Sequence, residues 1–143
     1  MTTFYTDASY DHSTKEATFG VYCPSNDYKA SFYLSDNLSS HLKAEYLAIK
    51  GTVRIIKSKF KNSEMAEEFL LYSDCLIAID RWNTNDYLPE DNIEVCWISR
   101  NSDGIKVADT LAYRKKITTL IWRIPNMTWN VYGCCCCCFG MVI

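Results

Sequence analysis

The residue pattern predicts a mixed α/β protein: a five-stranded sheet, three strands antiparallel and the later ones parallel, with helices on its faces. Three observations predict it. Short aromatic or β-branched runs, bounded by turn residues, fill the first third of the chain. Apolar residues at alternating steps of four and three then mark a helix. Strand-sized and helix-sized segments alternate after that, an order that brings parallel strands together through helical crossovers. At 143 residues and 48% hydrophobic content, the chain is long and apolar enough to bury one real core, which excludes a disordered tail protein.

The elements follow in order. Phe4 to Ser9, Thr18 to Cys23 and Lys29 to Leu34 are strands, and Asp11-His12-Ser13-Thr14 and Pro24-Ser25-Asn26-Asp27 are the turns between them. The short spacing makes these three an antiparallel meander. Ser39-Ser40 offers a helix cap, and Leu42, Tyr46, Ile49, Val53, Ile56 and Phe60 form one apolar helical face. Phe69-Leu70-Leu71-Tyr72 is a buried strand ending at Ser73-Asp74, followed by a helix from Cys75 to about Trp82. Ile93 to Ile98 is a fifth strand, and Lys106 to Lys116 a last helix with Ser102 or Asp103 near its cap.

Charge is nearly balanced, with 15 basic and 17 acidic residues and a net charge of -2, so no bulk basic field exists to attract nucleic acid. Three of the eight cysteines, Cys23, Cys75 and Cys96, are scattered, while Cys134 to Cys138 form one run; this is not a disulfide framework. Two histidines and no separated pair of Cys-x-x-Cys knuckles argue against a zinc finger. The first residues, Met1-Thr2-Thr3-Phe4-Tyr5-Thr6-Asp7, carry neither a basic nor an apolar leader segment, which predicts a reducing, cytoplasmic setting.

Four carboxylates stand at the ends or edges of these elements. Asp7 lies inside the first strand, where a carboxylate is costly unless something compensates it. Asp74 ends the next core strand, and ligands in α/β sheets bind at the C-terminal ends of strands. Glu45 follows Leu42 by three residues and precedes Ile49 by four, so it lies at the margin of the buried stripe. Asp109 sits in Val107-Ala108-Asp109-Thr110-Leu111-Ala112, among residues that pack. Singly, each has an ordinary reading: Asp74 as a helix N-cap, Glu45 as an edge charge, Asp7 as a turn or bulge residue, Asp109 as a satisfied helix carboxylate.

Taken together, Tyr5-Thr6-Asp7-Ala8-Ser9, Ser40-His41-Leu42-Lys43-Ala44-Glu45-Tyr46-Leu47-Ala48, Tyr72-Ser73-Asp74-Cys75 and Ala108-Asp109-Thr110-Leu111-Ala112 form an ordered set that resembles the ribonuclease H family, in particular its reverse-transcriptase-like bacterial and plant-type members. The resemblance covers about residues 3 to 116. It implies a ribonuclease H-like domain over 1–116, with 117–143 as a C-terminal extension of unknown role. It further implies that Asp7, Glu45, Asp74 and Asp109 are the catalytic residues and the ligands of two Mg²⁺ or Mn²⁺ ions, that the substrate is the RNA strand of an RNA–DNA hybrid, and that the enzyme works as a monomer. Ser9, Ser40 and Arg100 would bind substrate. The physical logic agrees: crowded carboxylates repel one another unless divalent cations neutralise them, and hard oxygen ligands suit Mg²⁺ or Mn²⁺. Two ions roughly 3.5–4 Å apart can activate a water and stabilise a leaving 3′-oxygen. The 2′-hydroxyl is the group that separates RNA from DNA.

The chain also departs from the family pattern. The loop Trp97-Ile98-Ser99-Arg100-Asn101-Ser102-Asp103-Gly104 holds no histidine, and Arg100 stands in its place, as in plant-type relatives. Ile105 replaces the usual asparagine, Leu76 replaces a polar residue, and the basic helical protrusion is missing. Trp82 reads as core, with support of the DNA strand as its other role. Lys43, Lys50, Arg54 and Lys57 form a local basic stripe for which a solvated helix face is the default. Beyond Ile117, apolar runs are interrupted by Arg123, Pro125, Asn126 and Asn130, so no spanning helix is expected, and Gly140 excludes a prenylation box. The cysteine run suits palmitoylation, soft metals or an altered reading frame, and a loosely packed extension is the default. Besides the nuclease, two other classes remain: a catalytically silent nucleic-acid-binding or assembly module of the same fold, and a tail-anchored or metal-storing protein acting through the cysteines.

Overall fold

A computed structural model of the protein describes residues 1–34, 38–62 and 66–113 with their side chains, and 121–124 and 127–132 as backbone. Strands β1 (Thr2–Asp11), β2 (Glu16–Cys23) and β3 (Tyr28–Leu34) form the expected antiparallel meander. The first turn is closed by Asp11, whose Oδ1 accepts from the Ser13 amide at 2.9 Å and the Ser13 hydroxyl at 2.6 Å. The second is a 3-10 turn over Pro24–Asn26, ended by Asp27 in the left-handed region, which a short polar side chain tolerates.

Helix α1 (His41–Ile55) starts where Ser40 caps it, its Oγ accepting from the Lys43 amide at 3.2 Å, and continues into a π-helical turn, Ile56–Phe60. Strand β4 (Phe69–Ser73) pairs parallel with β1, and β5 (Ile93–Trp97) pairs parallel with β4. Helices α2 (Leu76–Asn85) and α3 (Asp103–Ala112) complete the described helices. The last helix thus begins three residues earlier than expected, with Ser102 at its N-cap position. The rest of the expected helix, Arg114 to Lys116, the domain boundary at 116 and the run Cys134 to Cys138 lie outside the described residues.

Across the sheet the order is β5-β4-β1-β2-β3, the predicted five-stranded mixed sheet, with helices on both faces. Two further strands, β6 (Ile121–Ile124) and β7 (Met127–Tyr132), extend it antiparallel beyond β3. They come from the stretch whose broken apolar runs gave no strand signal; pairing along the β3 edge supplies what those short runs lack alone.

Adjacent residues of a strand point to opposite faces, which locates the layers. Phe4 packs edge-on against Phe60 at the end of the α1 segment, whereas its neighbour Tyr5 lies under Gly104 of α3. The core fills the α1 side with Phe4, Phe19, Phe32, Phe69, Ile49 and Leu71, all essentially solvent-free. On the other face α3 approaches β2 so closely that a Cβ at Gly20 would collide with the Ala108 carbonyl and the Leu111 side chain. Thr18 and Ser31 fix the same helix by donating to the carbonyls of Ala112 and Leu111. No helix among the described residues is long and apolar enough to cross a membrane.

Candidate active site

Strand register brings the first two carboxylates together. Tyr5 pairs with Tyr72 across β1 and β4, so two residues further along both chains lie Asp7 and Asp74. The chain turns immediately after β4 because the Ser73 Oγ accepts from the Cys75 amide at 3.2 Å. Cys75, not Asp74, occupies the N-cap position of α2, so the capping role open to Asp74 in the sequence is not the one it has. Glu45 arrives from the first turns of α1, which packs on β1, β2 and β4. Asp7, Glu45 and Asp74 each offer a carboxylate oxygen, and these three atoms lie within 4.8 Å of one another.

Asp109 joins them from α3. It lies within hydrogen-bonding reach of Asp7, and it lines a cavity of about 280 Å³ together with Asp7, Asp74, Arg100, Asn101 and Lys106. The seating of α3 on Gly20 matters here, since Gly20 is the β2 partner of Asp7.

Burial and the charge of neighbouring carboxyls both act on Asp7 and Glu45. Asp7 is only 7% exposed, and its pKa is raised to about 8, first by desolvation and then by the neighbouring charges of Asp74 and Asp109. The Ala8 amide, donating to Asp7 Oδ1 at 3.1 Å, opposes the shift only in part. Glu45 is 2% exposed and is raised to about 9 by the same causes, desolvation first, then Asp7 and Asp74. Its Oε1 has His41 Nε2 at 3.3 Å, while its Oε2 is buried without a hydrogen-bond partner among the described residues. A buried carboxylate oxygen left unpaired calls for an explanation, a catalytic role or a bound water or ion among them.

The three residues expected to bind substrate surround this cluster differently. Ser9 lies two residues beyond Asp7 on the same face of β1, half-buried. Ser40 caps α1, one turn ahead of Glu45. Arg100 is 81% exposed in the β5–α3 connection, with its Nε 3.7 Å from Asp74 Oδ2. The sequence reading passed over two neighbours. His41 was signalled by its position four residues before Glu45 on one helix face. Trp97, exposed at the rim and donating its indole N–H to the Asp74 carbonyl at 3.2 Å, carried no signal because the contact joins two strand ends. Trp82 is 7% exposed, in keeping with its core reading.

No family model matches the chain, and no curated protein matches it in sequence. Among solved structures it is similar to LC11-RNase H1, crystallised in complex with an RNA/DNA hybrid: TM-score 0.56 and 16% identity, covering 78% of this chain and 96% of that one. At that identity the likeness concerns the fold, which is ribonuclease H-like.

Proposed function

We propose that this chain is a metal-dependent ribonuclease H, an endonuclease hydrolysing the RNA strand of RNA–DNA hybrids. The observation that carries the reading is the convergence of Asp7, Glu45 and Asp74 within 4.8 Å, with Asp109 on the same cavity. The donor set fits Mg²⁺ or Mn²⁺, being all hard oxygen, and the unpaired Glu45 Oε2 leaves a lone pair free for a cation. Two such ions, held by Asp7, Glu45, Asp74 and Asp109, would supply an activated water and charge compensation for the leaving 3′-oxygen.

The protein's own part is positional. The parallel β1–β4 pair fixes Asp7 beside Asp74, and two helices on opposite faces deliver Glu45 and Asp109 to the same edge. Ser9, Ser40 and Arg100 contact the hybrid backbone in this reading. The Ser40 oxygen already accepts from Lys43, which leaves its hydroxyl hydrogen to donate to a phosphate. The hybrid held by LC11-RNase H1 supports this choice of partner.

Labelled RNA–DNA hybrid, DNA duplex and single-stranded RNA, offered in Mg²⁺ and in Mn²⁺, test the proposal. Hybrid alone should be cut, and only with metal. A folded protein that binds hybrid but cuts nothing in either metal would instead be the silent nucleic-acid-binding module.

A further inference from the structure

Each carboxylate of the compact trio Asp7, Glu45 and Asp74 has one oxygen engaged by a neighbour. Asp7 Oδ1 accepts from the Ala8 amide at 3.1 Å, Glu45 Oε1 has His41 Nε2 at 3.3 Å, and Asp74 Oδ2 has Arg100 Nε at 3.7 Å. One oxygen of each is thereby taken, and Glu45 Oε2 stands buried without a hydrogen-bond partner among the described residues.

The three neighbours are not equal. The Ala8 amide belongs to the strand backbone, and Arg100 is an exposed side chain at a distance where an ion pair is weak. His41 is the side chain that acts on Glu45, the most deeply buried of the trio. Residues four apart stand on one face of a helix, and helical side chains lean toward the N-terminus, so Glu45 reaches back over the turn that His41 opens. Ser40 caps the helix one residue earlier through the Lys43 amide, which fixes the backbone from which the imidazole projects. Among the described residues the mutually close ligand atoms are those of Asp7, Glu45 and Asp74. His41 therefore touches a ligand without joining the set.

What such a contact decides is how many oxygens Glu45 can turn toward a cation. Mg²⁺ demands a small, near-ideal octahedron and Mn²⁺ suits the same oxygen geometry, whereas Ca²⁺ is larger, takes more oxygens and accepts both from one carboxylate. A glutamate with one oxygen held offers the other alone. A glutamate free to rotate offers both.

We infer that His41 is a positioning residue that holds Oε1 of Glu45, presents Oε2 alone, and so biases the acidic site toward Mg²⁺ or Mn²⁺ and against Ca²⁺. The inference rests on the metal site of the nuclease reading and deepens it by naming what sets the choice of ion.

Mn²⁺ binding, followed by the paramagnetic resonance of the free ion, and displacement of bound Mn²⁺ by Ca²⁺ test this without any substrate. The proteins are the wild type, His41→Ala, His41→Gln, His41→Asn, Glu45→Gln and the control His12→Ala, an exposed histidine outside the site. Glutamine puts an amide nitrogen where Nε2 stands, and asparagine puts one where Nδ1 stands. His41→Ala should lose about tenfold in Mn²⁺ affinity and about twofold or less in Ca²⁺ affinity, so that the preference for Mn²⁺ narrows about fivefold or more. His41→Gln should keep the wild-type preference, His41→Asn should follow alanine, and His12→Ala should behave as wild type. The His41 side chain is 55% exposed, so the fold should tolerate all three changes, which thermal unfolding checks. Should alanine fail to fold, the glutamine and asparagine variants carry the comparison.

An unmoved Mn²⁺ affinity in His41→Ala, equal losses for the two ions, or a glutamine variant as weak as alanine overturns the inference. Wild type that binds Mn²⁺ and loses it in Glu45→Gln, with His41→Ala unchanged, removes this inference alone. Wild type that binds neither ion removes the metal-dependent nuclease reading and this inference together.

Discussion

Asp7 and Glu45 are buried, 7% and 2% exposed, whereas Asp74 and Asp109 are half-buried; Asp7, Asp74 and Asp109 line the cavity beside Arg100 and Lys106, and Glu45 lies behind them. The two halves of one acidic cluster thus serve different ends. Desolvation leads the causes that push Asp7 and Glu45 upward in pKa, so without a cation the buried half holds protons at neutral pH. The open half is where a charged ligand can enter. A buried pair that must be neutralised, next to an open pair that can bring the neutralising charge in, is what separates this cluster from an ordinary acidic surface.

The largest effect should come from the open half. In the nuclease reading Asp74→Asn would remove a metal ligand worth several kcal/mol of charge stabilisation, and cleavage of hybrid should fall by about 1,000-fold or more in a single-turnover assay. Retained activity would break the pairing of the two halves. The buried half should instead dominate stability. Both groups have folded-state pKa values above their unfolded ones, so the folded protein binds more protons than the unfolded chain between about pH 4 and 8. The contribution is complete below the unfolded pKa and is lost as pH rises through the folded one. Denaturant titrations of metal-free protein should show a loss on the order of a few kcal/mol from about pH 5 to 8, reduced in Asp7→Asn and largely cancelled by Mg²⁺.

Next comes the seat of α3. Gly20→Ala forces a methyl group into the Ala108 carbonyl and Leu111, and should destabilise the protein by about 1–3 kcal/mol while lowering activity by shifting Asp109. Urea unfolding and hybrid cleavage on the same preparation read both effects. Arg100→Ala should do least to the fold. Its guanidinium is 81% exposed at 3.7 Å from Asp74, and pairs of that kind move stability by less than about 1 kcal/mol. A rise of several-fold in KM with kcat held would place it on substrate, sharpening its expected role at the open half.

How far the sequence revealed this depended on whether each signal was local. The meander, α1 and its Ser40 cap are written in neighbouring residues, and so is the placement of Glu45 at the edge of an apolar stripe. The adjacency of Asp7 and Asp74 needed the parallel β1–β4 pairing, which strand order made legible but register alone fixed. His41 was within reach of simple helix spacing. The Trp97 contact and the β6–β7 extension were not, because each joins segments far apart in the chain. Arg100 was found through the family pattern and not through any physical signal in its loop.

The central claim is that the carboxylate cluster is a divalent-cation site whose buried half exchanges protons for metal. Calorimetric titration of Mn²⁺ into wild type, Asp7→Asn and Glu45→Gln at pH 7, repeated in buffers of different ionisation enthalpy, measures binding and proton release together. Wild type should bind Mn²⁺ with net proton release, and each variant should bind more weakly and release fewer protons. Binding without proton release, or binding indifferent to both substitutions, would contradict the account.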